Sequence, residues 1–292
     1  MQVALHAGAH LTDEGRLLNC LADNKGTFKE RGIEIPEPEI YRGLLRETFE
    51  RLASQPPAPG LRDDLVEAIL DGETAERVVL SNVHFFGPKW TCIGEETFYP
   101  LAGPRMAQLC DIFVNDQVEL FMALQNPGVF IPKILNALPE PRRLNIMQQT
   151  SLGDLRWSTM IEQIQQMAPD AKLTFWCNED TPLIWGQILR ALGGLSANDP
   201  IRGLYALLGE LLTEDGRQEF RVLLSRNPNL DQRGIQNMIA DVLQRHARDE
   251  MMEEELDLPG WNSDVVDAFT ELYDEDVASI RAMPGITFLA PG

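Results

Sequence analysis

Basic residues are scarce in this chain: 25 Lys and Arg stand against 45 Asp and Glu, a formal net charge of −20. A surface of that sign repels nucleic acid and anionic membrane, because binding to either is driven by neutralising phosphate. A local anion site made by backbone N–H groups and one or two cations remains possible. Cysteine is sparse too. Cys20, Cys92, Cys110 and Cys177 lie far apart, with no CxxC pair and no Cys/His cluster at metal-ligand spacing, so neither a metal site nor a disulfide framework is expected. Buried thiols in a reducing compartment are the reading that fits. No apolar run approaches the roughly 18 residues of a membrane span, and the N-terminus has no basic leader region. A cytoplasmic protein is expected. GxSxG, HExxH and GxGxxG are all missing, which leaves hydrolase-elbow, zincin and dinucleotide-binding functions without support.

What is present is an alternation. Five short apolar or β-rich runs, Gln2–His6, Arg77–Ser81, Gln117–Leu124, Lys172–Cys177 and Ile286–Leu289, are separated by helical patterns. Thr12 is placed to cap a helix through Leu17, Cys20 and Leu21, and Pro38 opens a second through Tyr41, Leu45 and Phe49. Others run from Leu155 to Met167, from Pro182 to the Gly193-Gly194 pair, and from Asp264 to Met283. Strands alternating with helices predict an α/β fold, a parallel sheet of about five strands covered on both faces, in one domain over 1–292. Residues 200–258 break the alternation with three helical stripes, a helical C-terminal insertion, and end in the acidic run "RDEMMEEELDLPGW", read as a solvated helix end. "SQPPAPG" at 54–60 reads as a stiff connector between helices.

The first strand leads into "HAGAHLTDEG". Small residues between a strand and a helix suit a loop that aims N–H groups at an anion. "HAGAHLT" resembles the opening of bacterial sulfotransferase-like P-loop proteins, whose pattern is His-x-Gly-x-His-Lys-Thr-Gly-Thr-Thr. "VVLSNVHFFG", 78–87, resembles their second strand and following turn, and "LFMALQNPGVFIPKIL", 120–135, their third strand and helix. Segments 155–185 and 273–289 are similar as well, so the likeness covers most of the chain outside the insertion. It implies P-loop strand order, a 3′-phosphoadenosine 5′-phosphosulfate donor, and transfer of a sulfuryl group to a hydroxyl or amine. Carried over by position, the donor-binding residues are Gly8, Ala9 and Thr12 in the loop and Gln125 and Lys133 in the third segment, with Arg16 able to reach back to an anion or to pair with a neighbouring acid.

The same positions depart from the pattern. Leu11 stands where the loop Lys belongs, Asp13 replaces a glycine, Glu14 a threonine, and Gln125 an arginine. Carboxylates beside a bound phosphate repel it; without phosphate they complement the helix dipole. Two further readings therefore stand beside the transferase: a non-catalytic relative acting as a binding or partner protein, and a divergent enzyme using another donor. For the latter, His6, His10 and His84 each lie at or just past a strand end and are expected at one cleft, with His84 as proton acceptor and His10 orienting a substrate. His246, in a polar segment, is expected at the surface.

Overall fold

The computed structural model describes residues 1–196, 199–252 and 258–292. β1 (Gln2–His6) leads through α1 (Arg16–Ala22) and α2 (Lys25–Lys29) to β2 (Ile33–Glu34). α3 (Pro38–Leu52) and α4 (Leu61–Leu70) precede β3 (Arg77–Ser81), and α5 (Ala102–Ile112) precedes β4 (Gln117–Leu124). α6 (Pro127–Asn136), α7 (Glu140–Gln149) and α8 (Trp157–Met167) lead to β5 (Lys172–Cys177). Then come α9 (Thr181–Gly193), α10 (Ala206–Leu211), α11 (Glu214–Arg226), α12 (Gln232–His246), α13 (Asp249–Met252) and α14 (Ser263–Ala282), and the chain closes on β6 (Ile286–Leu289). The acidic run read as a solvated helix end lies in part, at 253–257, outside the described residues.

The fold is α/β, with one all-parallel sheet in the order β2-β3-β1-β4-β5-β6. The five expected strands are joined by β2, whose two residues are too short to leave a periodic signal. Alternation along the strands sorts side chains to two faces. Val3, Leu5, Val78, Leu80, Leu120 and Phe175 pack under α3, α5, α6, α8 and α14. Ala4, Val79, Phe121, Ala123 and Trp176 pack under α1, α2 and α9. Burial on both faces explains why the central strands read as continuous apolar runs.

A buried ion pair stitches the second face. Arg77 Nη2 lies 2.8 Å from Glu119 Oε2, spanning from β3 to β4 across the central strand. The same guanidinium donates to Gln2 Oε1 at 2.8 Å and to Leu192 O, near the C-terminus of α9, at 2.8 Å. A cation there also meets the negative end of the helix dipole.

The helices between α9 and α14 carry their own apolar cluster: Leu208, Leu212, Phe220, Ile239 and Val242. His246, expected at the surface, is only partly exposed; Nε2 meets Glu219 Oε2 at 2.7 Å and so ties α12 to α11. Among the described residues no helix is long and apolar enough to cross a membrane.

Candidate functional site

All six strands end on one edge, and β1 lies inside the sheet between β3 and β4. The chain leaving β1 turns toward β2, whereas the chain leaving β4 turns toward β5. Parallel sheets open a crevice where adjacent connections diverge. Here its walls are the loop after β1 and the segment from Gln125 to Lys133.

The loop is held to the sheet before it turns. Ala7 N donates to Phe121 O at 3.0 Å, Ala123 N to Gly8 O at 2.7 Å, and Ala9 N to Ala123 O at 3.3 Å. Gly8 has φ +99°, and a Cβ there would lie 3.0 Å from His10 N, so glycine is required. The Gly8–Ala9 peptide is cis. His10 N donates to the Tyr99 hydroxyl at 2.8 Å. The N–H groups of Ala9 and His10 therefore already have protein acceptors.

Beyond His10 the backbone coils, with left-handed conformations at Leu11 (φ +63°), Glu14 (φ +52°) and Gly15 (φ +82°). Asp13 is buried, and its Oδ2 accepts from Leu17 N at 3.2 Å while its carbonyl accepts from Arg16 N at 2.9 Å. The start of α1 thus receives an anion from the chain itself. Thr12, expected as the cap, instead donates Oγ1–H to Ala9 O at 2.7 Å; Gly15 is the capping position, and Asp13 supplies the side-chain acceptor.

The cations expected to meet a donor have other partners. Arg16 lies 3.0 Å from Glu14 and 2.7 Å from Glu210, the pairing alternative, with Glu210 contributed by α10. Lys133 Nζ donates to Leu11 O at 3.4 Å, which ties the two walls of the crevice together. Gln125 is buried; its carbonyl accepts the Trp157 indole N–H at 2.9 Å, and its side-chain oxygen has no partner among the described residues.

Two of the three histidines meet. His10 Nε2 and His84 Nδ1 are 3.3 Å apart, and His10 Nδ1 is 2.9 Å from the Tyr99 hydroxyl. That hydroxyl accepts from His10 N, and among the described residues His10 Nδ1 is the acceptor in reach of its one hydrogen. Neutral His10 then carries its proton on Nε2 and donates to His84 Nδ1. Neutral His84, an exposed residue, in turn carries its proton on Nε2. His84 was expected to accept a proton; in this arrangement its neutral ring holds an N–H at Nε2. Burial, with the neighbouring His84 and Lys89, pulls His10 down to about 4. Burial also lowers His84, and the charges of Arg42 and Lys89 add to the shift against the opposing effect of a backbone hydrogen bond at Gly87.

His6 does not join them. It alternates with Leu5, faces the opposite side of the sheet, and stacks on Trp176 at 6.2 Å between centroids. Its Nδ1 is 2.8 Å from Ser81 Oγ, its Nε2 has no partner among the described residues, and burial lowers its pKa. Strand-end position brings a residue to the right edge but not to the right face; His6 is still within the strand, whereas His10 has passed the turn.

Tyr99, which orders the pair, carries no motif. It sits in the irregular stretch before α5 with φ +46°, and neither period nor spacing marks it. Among the described residues no three His, Cys, Asp or Glu side chains gather as a metal ion requires. No protein-family model, no curated protein and no solved structure matches this chain.

Proposed function

We propose that this chain is a binding or partner protein built on a sulfotransferase-like scaffold whose donor loop has closed on itself. The observation that carries this reading is Asp13: its carboxylate takes the Leu17 N–H at the start of α1, where a donor phosphate would sit. The bonds from Ala9 N and His10 N, and the engagement of Arg16 by Glu14 and Glu210, act in the same direction. The central position of β1, with its loop at the diverging edge, is what the scaffold reading rests on.

The test is thermal unfolding and calorimetry with 3′-phosphoadenosine 5′-phosphate. A ligand at a hundred times its dissociation constant stabilises by about 2.7 kcal/mol, a visible rise in Tm. The expected result is no rise at millimolar nucleotide. Low-micromolar binding at physiological salt overturns the proposal and restores the transferase.

A divergent enzyme is the second reading, favoured by the Tyr99–His10–His84 chain, which ends in an exposed ring. In that reading His84 works first as a hydrogen-bond donor to a substrate oxygen. To accept a proton at Nε2, both rings must exchange tautomers and the Tyr99 hydroxyl must find another acceptor.

A further inference from the structure

The turn after β3 carries charge of the opposite sign to the molecule as a whole, and it is built firmly. Asn82 Oδ1 accepts from His84 N at 3.0 Å, and His84 O accepts from Gly87 N at 3.1 Å and from Arg105 Nη1 at 3.2 Å. Gly87 has φ +114°, and a Cβ there would run into Thr91 Oγ1. Tyr41 Oη accepts from Ser81 N at 2.8 Å and donates to Ser81 O at 2.9 Å, which pins the start of α3, with Arg42, to the end of β3. The single helical turn Lys89–Thr91 follows Gly87 and Pro88. Its Trp90 meets Arg142 of α7, whose Cζ lies 5.0 Å from the ring centroid.

Arg42, His84, Trp90 and Arg142 are exposed, and Lys89 is half-buried. Elsewhere in this acidic chain, cations such as Arg16, Arg62, Arg77 and Arg245 are met by carboxylates. Here, among the described residues, no carboxylate pairs with Arg42, Lys89 or Arg142, and the Nε2–H of His84 has no acceptor. The charges that act on the two rings are positive: Arg42 and Lys89 on His84, Lys89 on His10. The Tyr99–His10 contact fixes the tautomer of His84, so its donor is set before anything binds.

The complement of three cations, one N–H donor and a half-exposed indole is a ligand with several carboxylates and an apolar group. Magnitude decides its size. An exposed charge pair changes affinity by up to about fivefold. A small anion that meets one or two of these groups therefore gains little. Four contacts made by one ligand reach about six-hundredfold, a Kd of order 1 mM. At a Debye length of about 8 Å the remaining acidic surface is screened from a short segment seated on the patch. A nucleic-acid strand carries its charge on past the patch, over that surface, and is disfavoured.

We propose that the face formed by Arg42, His84, Lys89 and Arg142 receives a short acidic segment of another protein, its carboxylates on the cations and an apolar side chain against Trp90. This rests on the reading of the chain as a partner protein and names the chemistry of what it meets. The start of α1, where Asp13 sits, takes no part, so nucleotide binding there and peptide binding here succeed or fail separately.

The probe is the peptide acetyl-Glu-Leu-Glu-Glu-Leu-Glu-amide, titrated into the ¹⁵N-labelled full chain at physiological salt. Its lysine-for-glutamate counterpart and hexathymidylate are the controls. The Trp90 indole N–H and the His84 ring nitrogens are followed by NMR. The expected result is saturable shifting of both by the acidic peptide, and none by the basic one. Arg42→Gln with Lys89→Gln removes two contacts and should weaken binding about ten- to twentyfold. Arg142→Gln alone should weaken it about two- to fivefold, and keeps the test decisive if the double variant does not fold. The proposal is overturned if the acidic peptide shifts neither residue at about 5 mM, several times the expected Kd. It is overturned equally if the basic peptide or the oligonucleotide binds as well, or if the folded variants bind like the parent.

Discussion

If Asp13 is what keeps phosphate out of the loop, its charge should be removable. A carboxylate and a phosphate oxygen about 4 Å apart repel by on the order of 4 kcal/mol at an effective dielectric of 20, roughly a thousandfold in affinity. Placing at position 14 the threonine of the resembled loop pattern is a poor choice, because Glu14 has φ +52° and a β-branched residue there is strained. Asparagine tolerates that backbone, so the variant is Leu11→Lys, Asp13→Asn, Glu14→Asn. Its cost follows from the same hydrogen bond: the 3.2 Å contact from Leu17 N loses its charged acceptor, a change comparable to weakening a helix cap, about 1 kcal/mol, or a few degrees of Tm. Calorimetry with sulfate and with 3′-phosphoadenosine 5′-phosphate, alongside a melt without ligand, measures both. The expected outcome is a folded protein a few degrees less stable that binds the nucleotide measurably where the parent does not. A folded variant that still ignores both anions refutes the electrostatic reasoning; exclusion would then rest on the backbone bonds from Ala9 and His10.

Two further outcomes follow from buried groups. Arg77→Met leaves Glu119 buried with, among the described residues, only the exposed Lys172, 3.4 Å away, as a charged partner; it should cost about 3–5 kcal/mol in denaturant unfolding, and adding Glu119→Leu should recover most of that. A single-variant loss under about 1 kcal/mol would show the pair to be expendable. His10 titrates at about 4 in the fold against 6.5 in its ordinary state. The unfolded chain therefore binds more protons between those values, and stability rises with pH across that window. Unfolding measured from pH 7 down to pH 4 should show stability present above pH 6.5 and lost progressively below it, with the slope reduced in His10→Gln; an unchanged slope would assign the loss to other groups.

The sheet was legible because its strands are buried on both faces and stand as unbroken apolar runs between helices with plain ends, such as Pro38 and Gly194. β2 was not, since two residues have no period. At the site, sequence placed His10 and His84 together correctly but gave His6 the wrong face. Asp13 was visible as an oddity, yet its inward turn depends on left-handed backbone at Leu11 and Glu14, which no residue type there announces. Tyr99 was invisible, because its contact with His10 spans 89 positions and arises only when the stretch before α5 folds over the loop.

The ends of the sheet carry a consequence of their own. Its two rims are β2, two residues long, and β6, four residues long. Open rims are where copies of a protein join by adding strand to strand. Here Pro36 follows one rim and Pro291 the other, each lacking the N–H that would extend a ladder. Self-association of the native fold by strand addition is therefore limited to a handful of hydrogen bonds. The long apolar ladders of β1 and β4 become available to another chain only after the sheet itself has come apart.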